Sequence, residues 1–157
     1  MIYADNAATT KMSETAIKTM VELMNEEWGN PSSLYSRGQK AKEALEDARE
    51  RIAACLGCSA REIYFTSGGS EADNQAILTA ARIGEKKGKK HIVSTAFEHH
   101  AVLHTLKKLE KEGFEITLLD VKNGHNVPAQ QVKDAIREDT CLVTCMYANN
   151  EIGSVLP

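Results

Sequence analysis

The sequence predicts an α/β fold: a layered, mostly parallel sheet with flanking helices. Three observations predict it. From residue 60 onward, strand-like and helix-like patterns alternate in the order β-α-β-α-β-α-β, which favours a parallel sheet with right-handed crossovers. The strand-like runs are short and apolar, and glycine or polar turn residues bound them. The composition, 42% hydrophobic and 26% charged over 157 residues, is that of an ordinary globular domain with a core of reasonable size.

Residues 13–27 carry Ile17, Met20, Val21 and Met24 at helical spacing behind a Ser13 cap. W28-G-N-P-S-S33 is a turn-rich break. Residues 37–56 put Ala41, Leu45, Ala48, Ile52 and Leu56 on one face, and Gly57 stops that helix. Residues 1–58 therefore form a helical arm, and residues 59–157 an α/β domain. In the latter, I63-Y-F65 reads as a strand and residues 70–86 as a helix with Ser70 as cap and Asp73 in the first turn. H91-I-V-S94 is a strand. Residues 100–112 form a helix with Val102, Leu106 and Leu109 in line, ended by Gly113. F114-E-I-T-L-L119 is a strand, K122-N-G124 a turn, residues 128–137 a shorter helix and C141-L-V-T-C-M-Y147 a strand. The chain stops soon after that strand with nothing to close the sheet, which predicts part of a larger protein.

A net charge of −3 gives no basic footprint for nucleic acid. No apolar run approaches the ~18 residues of a membrane span, and M1-I-Y-A-D-N-A has neither part of a signal peptide. The expected compartment is the cytosol. C55-L-G-C58 has CxxC spacing, but no second pair follows it, so the reading is thiols rather than a metal site. Cys141 and Cys145, four apart on an apolar run, share one face if that run is a strand. Burial there raises the Cys145 thiol pKa and makes it a poor nucleophile.

Three features point to chemistry. T66-S-G-G-S70 lies at a strand-to-helix turn, where unpaired amides and the helix dipole favour an anion. Gly68 and Gly69 allow close approach and positive φ, and Ser70 adds a hydroxyl. The turn lacks the lysine of a nucleotide P-loop and the spacing of a dinucleotide fingerprint, so a small phosphorylated cofactor fits better. E98-H-H100 follows the next strand, where an imidazole can stack on a flat ring or move protons. N149-N150 follows the last strand, where a carboxamide can donate to a ring oxygen or a carboxylate. In a parallel sheet all three belong to one rim.

The segments Y3-A-D-N-A-A-T-T10, G29-N-P-S-S33, F65-T-S-G-G-S-E-A-D-N74, E98-H-H-A-V102 and A148-N-N-E-I-G153 together resemble the cysteine desulfurases of the class V aminotransferase family. The resemblance covers essentially the whole chain. It implies a pyridoxal 5′-phosphate enzyme of the type I fold that converts L-cysteine to L-alanine. The sulfur passes as a persulfide to an iron–sulfur scaffold or another acceptor. By position, Gly69 and Ser70 match the phosphate-cradling pair. His99 matches the ring-stacking histidine that assists proton transfer. Asn150 matches the asparagine that reaches the ring oxygen and the substrate, and A7-A-T-T10 the segment near the active site. The resemblance places the Schiff-base lysine, the carboxylate at the ring nitrogen, the sulfur-accepting cysteine and the carboxylate-binding arginine beyond Pro157. Lys89 and Lys90 precede a strand, on the wrong edge of the sheet. The expectation is that the chain alone is inactive, binds the cofactor weakly or not at all, and self-associates, as members of a dimeric family do. Selenocysteine lyases, small-acid aminotransferases of the same class, a non-catalytic binding or assembly module, and, setting the resemblance aside, a generic α/β phosphate-ester binder are the alternatives.

Overall fold

The computed structural model describes residues 2–121 and 126–156, so the expected turn at residues 122–124 lies outside the described residues. Contacts divide the chain into two compact units, Met1–Phe65 and Thr66–Pro157.

In the first unit, helix α1 spans Glu14–Glu26, and the Ser13 hydroxyl accepts the Ala16 amide at 3.2 Å, as its sequence position predicts. The apolar stripe Ile17, Met20, Val21 and Met24 is exposed. Helix α2 spans Ser36–Leu56 and ends at Gly57, whose φ of 68° is left-handed. The 29–33 turn lies close against the start of α2: a Cβ on Gly38 would stand 2.5 Å from the Ser33 carbonyl oxygen. The Arg37 guanidinium stacks over Trp28 and that of Arg49 over Phe65.

Ile63–Phe65 is extended but pairs with no strand, which corrects the expected first strand. An apolar triplet becomes a strand only where a neighbour pairs with it, and Tyr64 and Phe65 are exposed.

The second unit runs α3 (Gly69–Glu85), β1 (His91–Thr95), α4 (His100–Lys111), β2 (Glu115–Leu119), α5 (Ala129–Ala135), β3 (Thr140–Val143). Its sheet has the order β2-β1-β3 and is parallel throughout. Central β1 is wholly buried, as a strand covered on both faces must be. Ile92 packs with Ile77, Ala81, Leu106 and Leu109 from α3 and α4. Its neighbour Val93 points the other way, to Leu119, Val127, Val132 and Ala135 on the α5 side. Each fully buried Ile or Leu contributes roughly 1.5–3 kcal/mol, so these two clusters hold the three layers together. Gly113, at φ 89°, turns the chain after α4, and the Phe114 amide returns to the Leu109 carbonyl at 3.1 Å.

His91 opens β1 with no exposure, and its ring nitrogens bridge the hydroxyls of Thr140 (2.7 Å) and Thr117 (2.9 Å) on the two flanking strands. Burial, with Arg137 nearby, pushes its pKa below the usual histidine value. Lys90, just ahead of it, pairs with Glu85 at 2.8 Å, so this amino end of β1 is closed by structural pairs.

β3 is shorter than the apolar run that encodes it. Cys145 therefore lies beyond the strand and is exposed, and it does not share a face with Cys141. Cys141 borders the α3–α4 cluster, whereas Cys145 faces a hollow lined by Val127, Val132 and Leu156. The Cys145 thiol pKa is nonetheless raised, first by desolvation and then by the Glu98 charge.

Candidate functional site

Three loops meet the carboxyl end of the sheet or the helices that start there. The first precedes α3. Its helix begins at Gly69 with extended Gly68 as cap residue, so Ser70 and Glu71 lie inside the first turn, and Ser70 is not the cap. Asp73 falls one residue past that turn. Neither Gly68 nor Gly69 takes a left-handed φ. What they provide is space, since a Cβ on either would meet nothing within 4 Å. The Glu71 carboxylate accepts from the Ser67 amide (2.7 Å) and hydroxyl (2.6 Å), which lowers its pKa. The loop is thus held from behind while the first amides of α3, which have no carbonyl of their own helix to donate to, stay at its mouth.

The second loop joins β1 to α4. His99 caps α4: its Nδ1 accepts the Ala101 amide at 3.1 Å. An accepting Nδ1 carries no proton, so the neutral ring holds its proton on Nε2. Glu98, the residue before it, is buried, and its Oε1 accepts from the Thr95 hydroxyl (2.9 Å) and the Met146 amide (2.7 Å).

The third loop follows β3 and is built around Asn149. Its Oδ1 accepts the amides of Glu151 (2.8 Å) and Ile152 (3.0 Å), its own amide donates to the Ser154 carbonyl (2.8 Å), and its Nδ2 donates to the Phe97 carbonyl (2.9 Å). Gly153, at φ 71°, makes the turn, and an Ala148–Val155 bridge closes its base.

Loops two and three enclose a hollow of about 240 Å³ lined by Phe97, His99, His100, Asn149, Asn150 and Ile152, among others. The structure therefore brings His99 and Asn150 into one concavity. Gly69 and Ser70 do not line it. They stand beside it through a bridge of side chains: Asn74 donates to the Ser70 carbonyl at 2.6 Å, and the Thr105 hydroxyl bonds Asn74 Oδ1. Asn74 and Thr105 are each the sixth residue of their helices, so the bridge sets the starts of α3 and α4 side by side.

Sequence reasoning chose two residues that line the hollow, His99 and Asn150; it did not choose Glu98 and Asn149, which line it and also tie its two loops together, nor Asn74 and Thr105 behind it. The available signal was adjacency, because Glu98 and Asn149 each immediately precede a chosen residue. Among the described residues no cluster of three or more His, Cys, Asp or Glu side chains is arranged to hold a metal, and no helix is long and apolar enough to cross a membrane.

The aminotransferase class-V family matches residues 2–157. IscS 1 of Bacillus subtilis (strain 168) is 50% identical over 99% of this chain and 41% of its own length. The cysteine desulfurase IscS of Methanosarcina thermophila is 47% identical over 99% of this chain and 38% of its own. Among solved structures, a NifS-like protein superposes with a TM-score of 0.92 at 38% identity, covering 98% of this chain and 42% of that one. The structure "SspA in complex with cysteine" gives a TM-score of 0.90 at 38% identity, over 99% and 44% of the two chains. The chain thus spans about two fifths of the length of these relatives.

Proposed function

This chain belongs to the aminotransferase class-V family, and we propose that it is the N-terminal part of a pyridoxal-phosphate-dependent cysteine desulfurase. The observation that carries this reading is the shared hollow of His99 and Asn150, with the glycine-rich turn tied beside it. The residues present fit two ends of the cofactor. The open amides at Gly69 and Ser70 suit a phosphate monoester. The imidazole of His99 and the carboxamide of Asn150 suit the face and the oxygen of a flat ring. When bound, pyridoxal phosphate supplies an electron sink.

The chain's own residues orient the ring and the substrate. His99, whose Nδ1 accepts the Ala101 amide, keeps its Nε2–H as the group left to donate. Asn150, at the wall of the same hollow, would donate from its amide to the ring oxygen or to the carboxylate of L-cysteine. The Glu98 and Asn149 contacts keep both loops from spreading. Cys141 and Cys145 do not suit sulfur acceptance: both have raised pKa values, so little thiolate forms at neutral pH. On this reading the 157 residues alone bind the cofactor weakly and release no alanine from cysteine. The complete enzyme works in the cytoplasm and passes sulfur to an iron–sulfur scaffold or a comparable acceptor. The exposed stripe on α1 favours self-association, so size-exclusion chromatography should show species larger than a monomer.

The test is a titration of the purified chain with pyridoxal 5′-phosphate, followed by absorbance and by protection of the His99 resonances. Weak saturable binding that His99→Ala and Asn150→Ala each abolish is expected. Binding unchanged by both substitutions sinks the reading. Borohydride treatment of the mixture should label no single lysine stoichiometrically.

A further inference from the structure

We propose that Glu98 is a positioning residue whose buried carboxylate oxygen fixes the distance and orientation between His99 and Asn150. The inference goes beyond the proposed desulfurase reading and rests on it only for what occupies the hollow.

Two loops that leave different strands must keep two side chains in register across a gap. Loop two leaves β1 and carries His99. Loop three leaves β3 and carries Asn150. Backbone pairing stops before the hollow: β1 ends at Thr95 and β3 at Val143. Beyond those points the ladder cannot set the spacing. The Thr144 amide still reaches the Val93 carbonyl at 2.9 Å, and among the described residues the main-chain bonds from β3 to β1 end there.

Glu98 takes over at that point. Oε1 accepts from the Thr95 hydroxyl at 2.9 Å, which folds loop two back on the end of its own strand. The same oxygen accepts from the Met146 amide at 2.7 Å, which reaches across to the chain leaving β3. One atom therefore replaces the missing rungs. Asn149 adds a second tie, this time with the side chain on loop three, donating to the Phe97 carbonyl of loop two at 2.9 Å. Both anchors are buried at the wall of the hollow, and each is followed at once by a second lining residue. A side chain fixed at position i limits where the backbone can carry the side chain at i+1, so each reader inherits its position from its anchor. A sparse polar network of this kind holds geometry only while it is fully satisfied.

A bond-accepting oxygen is what the geometry demands, not a charge: both partners are neutral donors, and an amide oxygen can accept both bonds. Glu98→Gln should therefore preserve the clasp, and Glu98→Ala should break it. Thr95→Val removes one donor and leaves the carboxylate and the Met146 amide in place. It serves as the second variant should Glu98→Ala not fold.

The experiment records ring signals of isotopically labelled histidines and the side-chain amide signals of Asn150 in the full 157-residue chain. His91, at the far end of β1, is the internal reference. In Glu98→Ala, the His99 and Asn150 signals should both move while those of His91 stay. In Thr95→Val they should move in the same direction by less, and in Glu98→Gln they should return to the wild-type positions. In parallel, the apparent Kd for pyridoxal 5′-phosphate should rise about tenfold in Glu98→Ala, as when a supporting partner of a ligand-binding residue is lost. Movement of His91 as large as that of His99 makes Glu98 a general structural residue and overturns the proposal. So does a Gln variant that behaves like Ala, or an Asn150 signal unmoved in Glu98→Ala. Absence of any pyridoxal phosphate effect in the wild-type chain defeats the cofactor reading alone, because the resonance pattern still decides the clasp.

Discussion

Thr105→Val tests whether the turn before α3 and the histidine loop form one unit. The Thr105 hydroxyl donates to Asn74 Oδ1 and lies 2.9 Å from the Ala101 carbonyl, and the residue is buried. Valine has nearly the same shape and a similar helix propensity, so backbone effects are small. The loss is one hydrogen bond, about 1 kcal/mol, plus roughly 1–3 kcal/mol if Asn74 Oδ1 is left without a partner in a low-polarity setting. Asn74 is only half buried, so water recovers part of the second contribution, and the extra methyl buries apolar surface. The expected net loss is therefore ~1–2 kcal/mol, a fall in Tm of about 4–16 °C for a unit of this size. The assay is a double-mutant cycle by urea unfolding with Thr105→Val, Asn74→Ala and both. The two residues touch, so the coupling should be about 1 kcal/mol. Asn74 also holds the Ser70 carbonyl, so both single variants should weaken phosphate-ester binding at the α3 turn. Additivity within ~0.5 kcal/mol, with Ser70 amide signals unmoved, refutes the bridge.

Gly84→Ala should destabilise by roughly 1–3 kcal/mol through overpacking, because the new Cβ would stand 2.2 Å from Cys141 Cβ. A gain of stability in thermal unfolding, the usual result of replacing a helix glycine, would contradict that close approach. The pKa of His91 is depressed in the folded chain, so the unfolded chain takes up its proton first and stability falls as pH drops below 6.5, the ordinary histidine value. The slope in that window reaches at most about 1.4 kcal/mol per pH unit; a profile identical in His91→Gln would remove His91 as its source. With a maleimide at neutral pH, the exposed Cys55 and Cys58 should react before Cys145, whose thiol pKa is raised, and Cys141 should react last. Peptide mapping that puts Cys145 first would contradict the desolvation and Glu98 charge seen there.

The alternation of elements was legible because each period is local. Ile92 and Val93, one residue apart, face opposite layers, and Leu106 and Leu109 lie in line on α4. The Ser13 cap and the Gly57 and Gly113 stops were legible for the same reason: a cap is decided within one turn. Ile63–Phe65 was not, because an apolar triplet becomes a strand only when a neighbour pairs with it, and pairing is a long-range fact. The Cys141 and Cys145 assignment failed on β3's length, which the run of apolar residues overstates by several positions.

The hollow divides along the same line. His99 and Asn150 stood out because an imidazole and a carboxamide just past successive strand-like runs can converge on one rim, and because both lie in segments that resemble one family. Glu98 and Asn149 did not, because a polar residue in a loop normally faces water, and sequence gives no sign that one has turned inward. Only distances reveal it: 2.7 Å from Glu98 to the Met146 amide and 2.9 Å from Asn149 to the Phe97 carbonyl, spanning 48 and 52 residues of chain. Burying such a group costs roughly 1–3 kcal/mol unless its bonds are made. Its presence beside each hollow-facing residue therefore means that the fold spends stability there to hold a geometry. An apolar pair in the same two places would pack the loops more cheaply. It would leave the imidazole and the carboxamide free to drift, because apolar contact is non-directional and hydrogen bonds fix angle as well as distance.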